Sequence, residues 1–158
     1  MENKLIKNII QQFQDIQNQE IWLDENFEKK IEGISEKQAF QQPLPELHSV
    51  AELISHLLEW RKESILRLNG QDAKLTVESP ENWRTNEELK LIGWEKLKSD
   101  FYNSWKELTK LIESQPDDYL KNKSKDGYEF KYLIEGLIHH DLYHLGQIGI
   151  TIKFLNLK

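Results

Sequence analysis

At 158 residues the chain has room for one domain with a full hydrophobic core, spanning 1–158, and is too short for two comfortable ones. Its formal net charge is −6 with acidic and basic residues interspersed, so it lacks the clustered Lys and Arg that a nucleic-acid surface needs to neutralise phosphates. There is no cysteine, which excludes disulfides and thiolate metal sites, and no apolar run or leader pattern that points to a membrane or to secretion, so a cytoplasmic protein is expected.

From Asn3 to about Glu32 there is no proline or glycine, and Leu5, Ile9, Phe13, Ile16, Leu23, Phe27 and Ile31 recur at helical spacing, with Gly33 as the stop. A connection over 33–48 follows, containing Pro43 and Pro45. Ser49-Val-Ala-Glu52 is a capping box that opens a second helix from Val50 to about Leu68. Its apolar face carries Val50, Ile54, Leu57, Leu58, Ile65 and Leu68, while a mixed polar stripe beside it holds Glu52, His56, Glu59, Trp60 and Glu63.

Residues 69 to 84 show no periodicity and read as a long connection. A connection of that length is a candidate pocket wall, although its Trp83 is read first as a side chain pinning the segment to the bundle. Thr85-Asn-Glu-Glu88 is a second capping box, opening a helix to about Gln115 before Pro116. Leu91, Trp94, Leu97, Phe101, Trp105, Leu108 and Ile112 would form its core stripe, and Gly93 is a point where it could bend. After a polar connection with a turn at Asp126-Gly127, the last helix runs from about Phe130 to Phe154. It is apolar or small on both sides, so it is expected to meet a second subunit as well as its own bundle. Four long helices whose connections permit antiparallel neighbours make an all-α four-helix bundle.

The last helix holds three of the five histidines within six residues. His140 and His144 are one turn apart on one side, with Gly136 a turn before and Gln147 a turn after, while His139 points away. Imidazoles at i and i+4 have Cβ atoms roughly 6 Å apart, close enough to converge on one metal at about 2.0–2.1 Å from each nitrogen. Bundles build such sites from facing helices, and His56 on the second helix is the natural third ligand. The alternative for each histidine is a hydrogen-bonded place in the core.

The stretch Gly-Leu-Ile-His-His-Asp-Leu-Tyr-His-Leu-Gly-Gln-Ile, together with Leu-Ile-Ser-His-Leu-Leu-Glu-Trp, resembles the DinB/YfiT-like superfamily. That resemblance covers essentially the whole chain in helix order. It implies a commonly dimeric four-helix bundle with one divalent metal held by three histidines, which here become His56, His140 and His144.

A three-imidazole site suits Zn, Ni, Fe or Co better than Mg or Ca. With a position open, the ion would activate a water or a thiol. Two enzyme readings follow: transfer or isomerisation with a low-molecular-weight thiol such as bacillithiol or mycothiol, towards which the family precedents lean, and metal-assisted hydrolysis of a small-molecule substrate. A non-catalytic metal-binding or stress-related protein is the third. Glu59, a turn from His56, is a weak catalytic candidate as a general base, against a solvated glutamate paired with Lys62. Trp60 is read as core, and Tyr143 and Gln147 as ligand donors or as packing and orienting groups. Asp141 and His48 lie outside the site, and Arg61, Arg67 and Arg84 are the cations nearest to it for an anionic substrate.

Overall fold

In the computed structural model, which describes residues 3–156, the apolar spacing at the start of the chain forms a helix that stops early. α1 spans Lys4–Asn18 and buries Ile6, Ile9, Phe13 and Ile16, whereas Leu5 is exposed. The continuous helix expected to Glu32 is therefore broken. At the next turn the inward positions are Gln19 and Glu20, which give no apolar contact to hold the backbone helical. The chain turns through 19–26, and the Asn26 side chain caps a short α2 (Phe27–Ile31). A second short helix, α3 (Glu36–Ala39), lies inside the expected 33–48 connection and is opened by a Ser35–Gln38 capping box legible in the sequence.

α4 (Val50–Leu68) begins at the Ser49–Glu52 capping box and buries its whole apolar face. The third expected helix is two: α5 (Asn86–Ile92) and α6 (Trp94–Glu113), separated at Gly93. Gly93 has φ +88° and ψ 147°, which stops α5 and restarts the chain with a new helical phase. The phase change explains why Leu91, expected in the core stripe, is 89% exposed while Leu89 is fully buried. α7 (Phe130–Asn156) completes the chain. The described residues are otherwise free of strand apart from one isolated bridge between Lys123 and Glu129. The fold is all-α, with α1, α4, α6 and α7 as its four long members and three short helices between them.

α4 packs against α6 and α7, and α1 packs against the same two helices, so α1 and α4 lie across a diagonal. Hydrogen bonds give the directions. Asn3 at the head of α1 bonds to Gln115 beyond the tail of α6, so these two run antiparallel. Ser49 at the head of α4 bonds to Asn86, and Leu68 at its tail bonds to Tyr119, so α4 runs parallel to α6. Arg67 near the tail of α4 meets Asp126 just before α7, which makes α4 and α7 antiparallel. The α4–α6 pair thus departs from the antiparallel arrangement expected of neighbours. Parallel neighbours need a connection that returns along the bundle, about 28 Å for a helix of this length. Residues 69–85 make that return and press the 3₁₀ turn Pro80–Trp83 against α4.

α7 is covered by α4 on its histidine side and by α1 and α2 elsewhere, so Ile138 and Leu145 are buried within one chain. No helix among the described residues is long and apolar enough to cross a membrane. At Gly93 an added Cβ would meet no atom within 4 Å, so a side chain there is opposed by the backbone alone. Gly93→Ala is expected to cost about 1–3 kcal/mol in urea denaturation; unchanged stability would contradict the left-handed break.

Candidate metal centre

Three elements deliver the site. α4 contributes His56, α7 contributes His140 and His144 one turn apart, and the 69–85 crossover contributes Asn82 and Trp83. The His140 Nε2 lies 2.9 Å from the His56 Nε2 and 3.0 Å from the His144 Nε2. All three ligating atoms lie within 4.8 Å of one another, a group able to hold a metal ion.

The outer nitrogens fix the tautomers. His56 Nδ1 is 2.9 Å from the Asn82 carbonyl, which can only accept, so this nitrogen donates and the Nε2 keeps its lone pair. His144 Nδ1 donates to the Gln147 Oε1 at 2.6 Å with the same result. Burial holds all three rings below the usual histidine range. His140 is brought to about 3 by desolvation, reinforced by His144, His56 and Arg61, and His144 to about 4 by desolvation, with the Gln147 bond opposing. His56 moves the same way by desolvation, against its bonds to Asn82.

Three neutral imidazoles therefore converge with too few protons for their contacts. His140 Nε2–H can donate to one facing nitrogen and not to both, which leaves the other acceptor without a proton. A cation satisfies all three at once, and bonds of about 2.0–2.1 Å in a tetrahedral arrangement require nitrogens about 3.3 Å apart, close to the spacing observed. The donor set fits a transition metal, with the carbonyl and amide behind it orienting the rings.

Trp83 both pins the crossover and walls the site. Its ring lies flat between His48 at 3.7 Å and His56 at 4.0 Å, with interplanar angles of 1° and 5°. His48 thus braces the back of Trp83 and is remote from the ligating edge. Trp60, read from sequence as core, is half-buried beside the site and donates its indole N–H to Asn82 Oδ1 at 2.8 Å. Gln147 backs His144, while Tyr143 is exposed and meets the His144 ring edge-on. His139 is exposed, on the side away from the pair.

Glu59 bonds to Lys62 at 3.0 Å and borders a different cleft, with Lys74 and Glu81. Arg61 is not available to a substrate. Its guanidinium is fully buried and grips Asp141 through both carboxylate oxygens at 2.8 and 2.9 Å, next to Phe101 and Ser104 of α6. Burial pushes the Asp141 carboxyl up, and Arg61 pulls it back. Arg67 borders the histidine cleft but is engaged by Asp126. Sequence reasoning missed Asn82, whose role depends on where the crossover lands, and missed the Arg61–Asp141 pair, although an arginine and an aspartate on inward-facing helix positions were visible. Removing one partner strands a buried charge, so Asp141→Leu is expected to cost about 3–5 kcal/mol of stability by urea denaturation, with part recovered in the Arg61→Leu/Asp141→Leu double variant. A single variant as stable as the parent would contradict the pairing.

Comparison with curated proteins gives no match. The sequence model of the DinB superfamily matches residues 22–148, a span that includes all three histidines of the cluster. With most of its length matched, and an all-α fold with four long helices, the chain belongs to the DinB superfamily.

Proposed function

We propose that the protein binds one divalent transition metal, of the Zn, Ni or Fe kind, through the Nε2 atoms of His56, His140 and His144, and uses it in thiol-dependent transfer or isomerisation. The observation that carries the metal is the convergence of three neutral imidazole edges, two buried and one half-buried, with the outer nitrogens of His56 and His144 already committed. When bound, the ion supplies a Lewis acid that lowers the pKa of a coordinated water or thiol towards neutrality.

The surroundings support transfer over hydrolysis. Hydrolysis calls for a general base within hydrogen-bond reach of the attacking water. The cleft beside His56 and His140 is bordered by Trp60, Trp83, Tyr132, Leu133 and Arg67, with no carboxylate in its lining, and Glu59 faces elsewhere. A thiol whose proton is lost to solvent needs no such base. In this reading Asn82 and Gln147 hold the rings in the ligating tautomer, Arg61–Asp141 sets the position of α7 against α4, and Trp60 and Trp83 exclude water.

Protein prepared without tag or chelator should carry about one equivalent of transition metal by elemental analysis. His56→Ala and His140→Ala should lose most of it while circular dichroism shows the helices intact. Stoichiometric metal in either variant sinks the three-histidine assignment, and hydrolysis that proceeds without added thiol would favour the hydrolase.

The outward strip of α7 supports a homodimer. Tyr143, Ile150 and Phe154 remain exposed there, with Gly146 between them, after α1, α2 and α4 have covered the inward positions of the helix. Light scattering should return about twice the chain mass, and Ile150→Glu should shift it towards the monomer. A parent protein that scatters as a monomer rules the dimer out.

A further inference from the structure

The cleft beside the histidines has a composition that selects a class of ligand; the inference rests on the metal-binding reading above. The cleft holds about 620 Å³ and reaches two of the three rings, His56 and His140. Its walls are Trp60, Trp83 and Tyr132, with Val77, Leu133 and Leu137 among them.

Most polar groups along those walls are already in use, and the exposed Tyr132 hydroxyl stands at the rim. Trp60 Nε1–H donates to Asn82 Oδ1 at 2.8 Å, and Asn82 Nδ2 donates to the Val77 carbonyl at 3.0 Å. The Ser64 hydroxyl donates to the Trp60 carbonyl at 2.9 Å, and Arg67 Nε donates to Asp126 at 2.8 Å. Beyond the rim a ligand therefore meets aromatic and aliphatic faces, where an ammonium group would give up water without replacement. A flat apolar body loses nothing of that kind and stacks.

Charge sets the other end of the ligand. The three ring nitrogens are neutral, and the groups behind them are a carbonyl and an amide oxygen. Arg61 is matched by Asp141 and Arg67 by Asp126. No carboxylate lines the cleft, so a divalent ion at the histidines keeps its charge for the incoming ligand. We infer that the cleft takes a small molecule with a flat, apolar body and one anionic sulfur or oxygen donor, the donor directed at the His56/His140 end, and that it discriminates against cationic molecules.

Gly136 provides the test. It borders the cleft, it is exposed on α7, and a Cβ built there would meet no atom within 4 Å. Gly136→Leu therefore fills the cleft without displacing core side chains, and leucine favours a helix more than glycine does. The measurement is calorimetric titration of metal-loaded protein with phenylmethanethiol and with 1-thioglycerol, two alkanethiols of similar acidity that differ in body. The parent should bind phenylmethanethiol at least about tenfold more tightly, and Gly136→Leu should lose about tenfold or more of that affinity while retaining its metal by elemental analysis. Equal binding of the two thiols by a metal-loaded parent overturns this inference alone, as does unchanged affinity in Gly136→Leu. A parent that takes up no metal overturns the proposed function and, with it, the selection of an anionic head.

Discussion

The contact on which the site depends is the buried pair between Arg61 and Asp141. Both side chains are out of water, and each holds the other through two short hydrogen bonds. A dry ion pair contributes little net stability, because desolvation cancels much of the attraction, but it penalises any arrangement that separates the charges. Arg61 follows His56 by little more than one helical turn, and Asp141 is next to His140 in sequence. Sliding α4 against α7 by one turn, about 5.4 Å, would therefore break the pair and part His56 from the other two histidines together. The guanidinium also lies over the Phe101 ring and against the Ser104 hydroxyl, so α6 is tied to the same register. The histidines meet because charges beside them cannot be left alone.

Topology supplies the remaining wall. Because α4 and α6 are parallel, the chain must return along the bundle between them, and it lays Asn82 and Trp83 across α4 on the way. Asn82 is bound at every polar group: its amide donates to the Ser79 carbonyl, its carbonyl accepts from His56, and its side chain joins Trp60 to Val77. One residue thereby fixes a histidine tautomer, an indole orientation and the path of the crossover. The stack of His48, Trp83 and His56 closes the arrangement from the outside. A connection forced by helix direction has become a wall of the site.

Much of this was legible in the sequence, and the failures share a cause. The Ser49 and Thr85 capping boxes opened helices where expected, because a cap is a local contest between side chain and water for a backbone donor. The spacing of His140 and His144, with His56 opposite, brought those residues together as the periodicity of two facing helices requires. Periodicity reports which face a residue is on and not what lies across from it. Arg61 is among the cations nearest to the site in sequence, yet it points to a carboxylate on another helix. Nor does periodicity survive a change of phase: Leu91 matched the stripe of α6, but Gly93 uncoupled the two segments. The end of α1 shows the same limit, since Leu23 kept helical register with Ile16 while the inward positions between them, Gln19 and Glu20, had nothing apolar to bury.

Which helix is most enclosed also bears on the histidines. Sequence pointed to α7, apolar all round, yet α4 is covered by α3, α5, α6, α7 and the crossover, and its polar stripe is buried with it. Burial of such a stripe is tolerable only where each group finds a partner. Glu52 accepts the Ser49 amide and faces His48, Glu63 accepts the Leu75 amide beside Arg67, and Ser64 donates to the Trp60 carbonyl. His56 is satisfied on one nitrogen only. Its other nitrogen is an acceptor facing a ring that already faces a second acceptor, and protonating a ring to mend the contact is opposed by the same burial that pushes all three below the usual histidine range. What the cluster lacks is positive charge that needs no proton, which is the chemistry a transition metal brings to three imidazoles.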